Sequence, residues 1–108
     1  MSAFLDNLEA LSEEVHVVDG NYLGAETEDL HDMLWELRRE DVDEFNRLSW
    51  RHLQSGSCAL LLHGGEVNVL GVIVRFGGGP SLVRLRRVGE DGEYWAPLDS
   101  VEMDLRRL

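Results

Sequence analysis

Hydrophobic positions recur along the chain with two different periods, and the change comes near Gly56. Before it, apolar residues return every three or four positions, the spacing of one helix face. After it they alternate, as in strands with one buried side. Phe4, Leu5, Leu8 and Leu11 form a first helical stripe behind a capping Ser2, fading by Glu14. Val15, Val17 and Val18 favour an extended path, a short strand or an ordered linker, before an Asp19-Gly20 turn. Thr27 then precedes Glu28 and Asp29, a capping hydroxyl followed by acids at the positive end of a helix. Leu30, Met33, Leu34 and Leu37 are its stripe, and Arg38 and Arg39 suit its C-terminal end. Asp41 with Glu44 three residues later reads as a capping box, which predicts a break and a further helix. Phe45, Leu48 and Leu53 give that helix its apolar side, Trp50 lies near the edge, and Gln54-Ser55-Gly56 ends it.

The second half predicts five short strands. "CALLLH" runs into Gly64-Gly65, a pair suited to a tight hairpin. In "EVNVLGVIVRF", Val67 and Val69 share one phase, and Val72, Val74 and Phe76 the other. The slip at Leu70-Gly71 predicts a bulge. "SLVRLRRV" sets Val83 and Leu85 on one face and Leu82, Arg84 and Arg86 on the other. "EYWAPL" alternates Tyr94, Ala96 and Leu98 against Trp95; Pro97 has no N–H for a ladder and belongs at an edge or a strand end. "VEMDL" is the last strand. Gly77-Gly78-Gly79-Pro80 falls between two strands, whereas a phosphate-cradling loop leads from a strand into a helix. With no lysine in the chain, the glycines read as a hairpin tip. The expected fold is α+β: an acidic helical region over residues 1–56, packed on a small five-stranded antiparallel barrel over residues 57–108, in one compact domain.

The closing segment "GEYWAPLDSVE" resembles the end of SH3-like barrels, where a strand carries an aromatic, then a proline, then three residues, then a valine on the last short strand. Gly92, Tyr94, Pro97 and Val101 match that order. The resemblance implies an SH3-like barrel for the second half. A helix followed by five bent strands is also similar to the Sm-like barrel, whose members form rings and bind RNA; the RNA-contact signature of that family is not found here. The aromatic-rich opening segment of peptide-binding SH3 domains is missing, and Ser100 stands where their groove tyrosine sits. The resemblance therefore implies an architecture without a function.

Charge narrows the partners. The net charge is −11 over 108 residues, and all ten cations are arginine. Residues 1–56 hold 14 acids against 4 arginines, and residues 57–108 hold 7 against 6. A field of that sign repels nucleic acid and anionic membrane and favours a cationic partner. The first residues lack the basic start and apolar core of a signal peptide, and no apolar run approaches a membrane span. With Cys58 the sole cysteine, there is no internal disulfide framework, and a cytoplasmic location is expected.

Candidate chemistry is sparse. His16, His31, His52 and His63 form no close pair. Glu28, His31 and Asp32 share one helical face, which suits a solvated acidic surface better than a metal site. Cys58 beside His52 or His63 is a formal nucleophile–base pair, but it opens an apolar strand and reads as a buried core residue. Asp41, Asp43 and Glu44 serve a helix start. No catalytic, metal or cofactor residue is assigned, and the chain reads as non-enzymatic. Arg75, Arg84, Arg86 and Arg87 cluster on one hairpin; such groups grip carboxylates or phosphates. The expectation is a protein-binding module of adaptor, inhibitor or immunity type. Glu28, Asp29, Asp32 and Glu36 would face a basic protein. Arg75, Arg84 and Arg86 would face the protein's own acidic helices or those of a second copy. A nucleic-acid contact through the arginine hairpin is the rival reading.

Overall fold

The computed structural model describes residues 14–102; the helix expected over residues 2–14 and most of the "VEMDL" strand lie outside the described residues. The order of elements is β1 (Val15–Val17), β2 (Tyr22–Ala25), α1 (Glu28–Glu40), α2 (Val42–Ser55), β3 (Cys58–Leu61), β4 (Glu66–Ile73), β5 (Leu82–Arg87) and β6 (Glu93–Pro97), then a 3-10 turn at Leu98–Ser100.

Both helices start where side-chain caps place them. The Thr27 hydroxyl accepts from the Leu30 N–H at 3.1 Å, and the Asp41 carboxylate from the Glu44 N–H at 3.1 Å. The reciprocal half of the expected capping box is absent, because the Glu44 carboxylate turns to Arg47 one helical turn on. Asp41 is extended (φ −151°, ψ 92°), so it interrupts the helical path and separates α1 from α2. Gly56 ends α2 in the left-handed region at φ 86°, a conformation glycine adopts without steric cost.

The strands form one curled antiparallel sheet of six, in the order β1-β4-β5-β6-β2-β3. The expected five strands confined to the second half are thus corrected to six, because β1 and β2 enter the sheet from the first half. The expected hairpin at Gly64-Gly65 is corrected as well. β3 pairs with β2, while β4 pairs with β1 and β5. The two glycines instead prolong the β1 ladder: Gly64 N–H donates to Val18 O and Val18 N–H to Gly65 O, both at 2.9 Å. On its other side Val18 bridges Val101. The β4–β5 register slips between Val69 and Gly71, leaving Leu70 as the extra residue of the expected bulge.

Two apolar clusters hold these layers. Val18, Leu61, Val67, Val69, Val83, Leu85, Ala96 and Val101 fill the inside of the curled sheet. Ala25, Leu34 and Cys58, flanked by Leu23, Leu30, Phe45, Leu48 and Leu53, join the helical hairpin to β2 and β3. Leu82 and Val83 are neighbours on a strand and point to opposite faces, yet both are fully buried. β5 is therefore covered on both sides at that end. β2 approaches β6 so closely that a Cβ on Gly24 would lie 2.9 Å from Tyr94 Cβ.

Candidate functional site

Where the helical hairpin leans on the β2–β3 ribbon, it leaves an open cavity of about 610 Å³. Helix α1 contributes His31, Leu34, Trp35 and Arg38, residues at the three- and four-residue spacing of one face. Tyr22 and Leu23 from β2 and Phe45 from α2 supply further apolar walls. Val42 and Leu60 stand at the lip, 57% and 51% exposed. Few polar groups enter: Asn21, Asn46, Arg38 and the imidazole of His31.

Behind this wall lies a charged knot. The guanidinium of Arg75, just past the end of β4, donates to Asp32 at 2.8 and 3.1 Å and to Glu28 at 2.7 Å. Its side chain is only 16% exposed, against 41% and 44% for the two acids. Arg75 also ties down the root of the glycine loop. Its N–H donates to the Ser81 hydroxyl at 2.9 Å, and its guanidinium reaches Pro80 O at 3.5 Å. His31 joins the knot through Asp32, Nδ1 to Oδ1 at 3.4 Å, and stacks on Trp35 with ring centroids 5.8 Å apart.

The expected placement of His31 on a solvated face is thereby corrected: it is 4% exposed. Trp35 covers one ring face and the Arg75–Asp32 pair holds that side of α1 against the β4 end. The signal in the sequence was the i, i+4 spacing of His31 and Trp35, which widens the stripe of Leu30 and Leu34 by one column. Of the four acids singled out, Glu28 and Asp32 are engaged by Arg75, while Asp29 and Glu36 are exposed to solvent. Met33, counted in the stripe, is 42% exposed. Arg84 lies 3.8 Å from Glu93 and over the Trp95 ring, and Arg87 pairs with Glu90 and donates to Leu60 O. Arg86 is half-buried opposite Glu93 and Asn68 in the ladders.

Burial pushes the imidazole of His31 below its ordinary 6.5, against the pull of Asp32. Asp32 is held below 3.8, chiefly by its hydrogen bonds from Arg75. Both shifts are depressions, so both contributions to stability are complete at neutral pH and are lost on acidification. The unfolded chain takes up the imidazole proton as the pH falls through 6.5, and the folded chain resists it. Loss from His31 therefore begins below pH 6.5, and that from Asp32 is added below 3.8. His31→Gln is expected to remove the first phase of acid destabilisation and keep the second, read from urea midpoints across the acid range. An unchanged first phase would assign it to other histidines.

Cys58 sits in the helix–sheet cluster, and burial raises its thiol to about 11, with the Glu26 charge adding to the shift. Such a thiol is a poor nucleophile at neutral pH. His63 instead accepts from the Gly20 N–H at 3.0 Å, at the β1–β2 turn. Among the described residues no group of three or more His, Cys, Asp or Glu is arranged to hold a metal, and no helix is long and apolar enough to cross a membrane. Against known proteins the chain matches no family model, no curated sequence and no solved structure.

Proposed function

We propose that the chain is a non-enzymatic protein-binding module, and that the cavity between α1, α2 and β2 receives an apolar side chain carried by a cationic segment of its partner. The observation that carries this reading is the open, mostly apolar cavity with Val42 and Leu60 half-exposed at its lip. Pockets of this size with a few convergent polar groups are where anchor residues seat. The charge around it sets the sign of the partner: residues 28–55 hold eight acids against four arginines. Asp29 and Glu36 are exposed and suited to steering such a segment, whereas Glu28 and Asp32 act within the fold by holding Arg75. The SH3-like reading of the sheet belongs here too. It is supported by the proline-bearing β6, the 3-10 turn, and Val101 returning to bridge Val18.

The rival nucleic-acid reading loses most of its cations to intramolecular partners. Among the described residues Arg75, Arg84 and Arg87 each have an acid within 4.0 Å, which leaves Arg86 of the four hairpin arginines without one there. Affinity capture from native lysate with and without nuclease separates the two classes. A direct test uses a synthetic arginine-rich peptide with one central phenylalanine. Leu60→Asp and Val42→Asp are expected to weaken its binding at least about tenfold. Asp29→Gln with Glu36→Gln is expected to slow association and flatten its salt dependence while leaving the dissociation rate nearly unchanged. Binding indifferent to both lip substitutions would place the interface elsewhere.

A further inference from the structure

His31 is the buried polar group of the cavity wall. It is 4% exposed, and the part that stays open includes Nε2, which has no hydrogen-bond partner among the described residues. Trp35 stacks on one face of the ring, and Nδ1 meets Asp32 Oδ1 at 3.4 Å. The carboxylate of Asp32 is fixed as an acceptor, because Arg75 donates to the same Oδ1 at 2.8 Å and to Oδ2 at 3.1 Å. An ionised carboxylate has no proton to give, so the contact requires the imidazole proton on Nδ1. Burial keeps the imidazole uncharged at neutral pH. Nε2 therefore carries a lone pair and presents the cavity with an acceptor.

An anchor without a donor would seal that lone pair away from water unmet, and a buried acceptor left unpaired weakens binding. Leucine and phenylalanine have no side-chain donor. Indole has one N–H and no acceptor, so it answers a lone acceptor and brings no polar atom that needs a partner of its own. The phenol of tyrosine donates too, but its oxygen adds lone pairs to be met. Size permits the larger ring. An apolar void of about 150 Å³ admits benzene, and the cavity of about 610 Å³ leaves room for a bicyclic ring. Helix α1 adds a second feature. Arg38 lines the cavity one turn beyond Trp35 and is in no ion pair among the described residues. A guanidinium free of acids attracts the face of an aromatic ring, and indole is the ring it holds best.

We infer that the partner's anchor is a tryptophan and that His31 selects it: the indole N–H donates to Nε2 while the ring lies against Trp35 and Phe45, within reach of Arg38. This rests on the groove reading above and names its anchor. His31 sets which aromatic side chain is accepted, whereas Val42 and Leu60 at the lip ask only that it be apolar.

The test compares matched arginine-rich peptides by isothermal titration calorimetry on the full chain. Their central residue is tryptophan, tyrosine, phenylalanine or benzothienylalanine, in which sulfur replaces the indole N–H and the ring shape is kept. The tryptophan peptide is expected to bind about three- to tenfold more tightly than the benzothienylalanine one, the range of a single hydrogen bond. His31→Phe keeps a ring on Trp35 and removes the acceptor, and those two peptides are expected to bind it equally. The nitrogen NMR resonance of His31 Nε2 is expected to move with the tryptophan peptide and to stay in place with its sulfur analogue. That resonance and the peptide pair need only the parent chain, so they decide the matter if His31→Phe does not fold. Equal affinity of the parent for the two peptides overturns the inference. So does a preference for tryptophan that persists in His31→Phe, or a tyrosine peptide that outbinds the tryptophan one. If the phenylalanine peptide binds and loses affinity in Leu60→Asp while tryptophan and benzothienylalanine stay equal, the groove reading survives and the choice of anchor alone fails. Binding of these peptides that ignores both Leu60→Asp and Val42→Asp removes the groove and the inference together.

Discussion

Leu85→Ala is expected to lower the unfolding free energy by about 2–5 kcal/mol. Leu85 lies at the centre of β5, opposite Val69 on one side and Tyr94 on the other, and none of it reaches solvent. It packs within the cluster of Val18, Leu61, Val67, Val69, Val83, Ala96 and Val101, whose members come from both ends of the described chain. Truncation removes buried methyl groups and leaves a void that a twisted six-stranded sheet closes only in part, since β4, β5 and β6, which carry Val67, Val69, Val83 and Ala96, are each paired on both sides. Leu60→Ala is the control. Leu60 is a leucine of the same sheet but half-exposed at the cavity lip, and its loss is expected to cost within about 0.5 kcal/mol. Urea unfolding of both variants, with equal slopes against denaturant, measures the difference. A Leu85→Ala cost below about 1 kcal/mol would mean that β5 is not the centre of the core.

The features legible in the sequence are those fixed by neighbours along the chain. Thr27, Asp41 and Gly56 announce helix ends because the groups they satisfy lie within three residues of each cap. The slip at Leu70-Gly71 announces the bulge because strand period is itself local. The partner of β3 was not legible. "CALLLH" before two glycines is the pattern of a hairpin, and only the long-range ladder with β2, across the whole helical hairpin, shows otherwise. "YLGA" gave no strand signal of its own; it becomes one by pairing with Cys58–Leu61 and by laying Gly24 against Tyr94. The acids were visible as a helix face, but the arginine that organises two of them is 43 residues from Asp32 and 47 from Glu28. That separation also hid the burial of His31 and, with it, the cavity wall.

The second large effect is expected at Arg75, where one side chain ties three segments together. Arg75→Ala removes the hydrogen bonds to Asp32 and Glu28 and the link from α1 to the root of the glycine loop. Hydrogen bonds to charged groups are worth about 1.5–3 kcal/mol when well shielded. Here both acids are close to half-exposed, so water and salt screen the pair and the carboxylates rehydrate once it is broken. The expected cost is therefore about 1–2 kcal/mol, falling at high salt. Arg75→Glu is expected to cost more, because a third carboxylate would meet Glu28 and Asp32 in a partly buried site. Adding Asp32→Arg to Arg75→Glu restores opposite charges and is expected to recover part of the loss, whereas Asp32→Arg alone sets two guanidinium groups together. A purely steric role for Arg75 would show no such recovery. The imidazole of His31 supplies an independent readout. Burial is the main cause of its low pKa; Asp32 raises it, and the positive charge of Arg75 adds a smaller lowering. With Arg75 replaced by alanine, that smaller lowering disappears while Asp32 still acts on His31, so the imidazole is expected to titrate at higher pH than in the parent. An NMR titration that finds His31 unmoved in Arg75→Ala would show that the knot behind the cavity wall is not coupled to the wall itself.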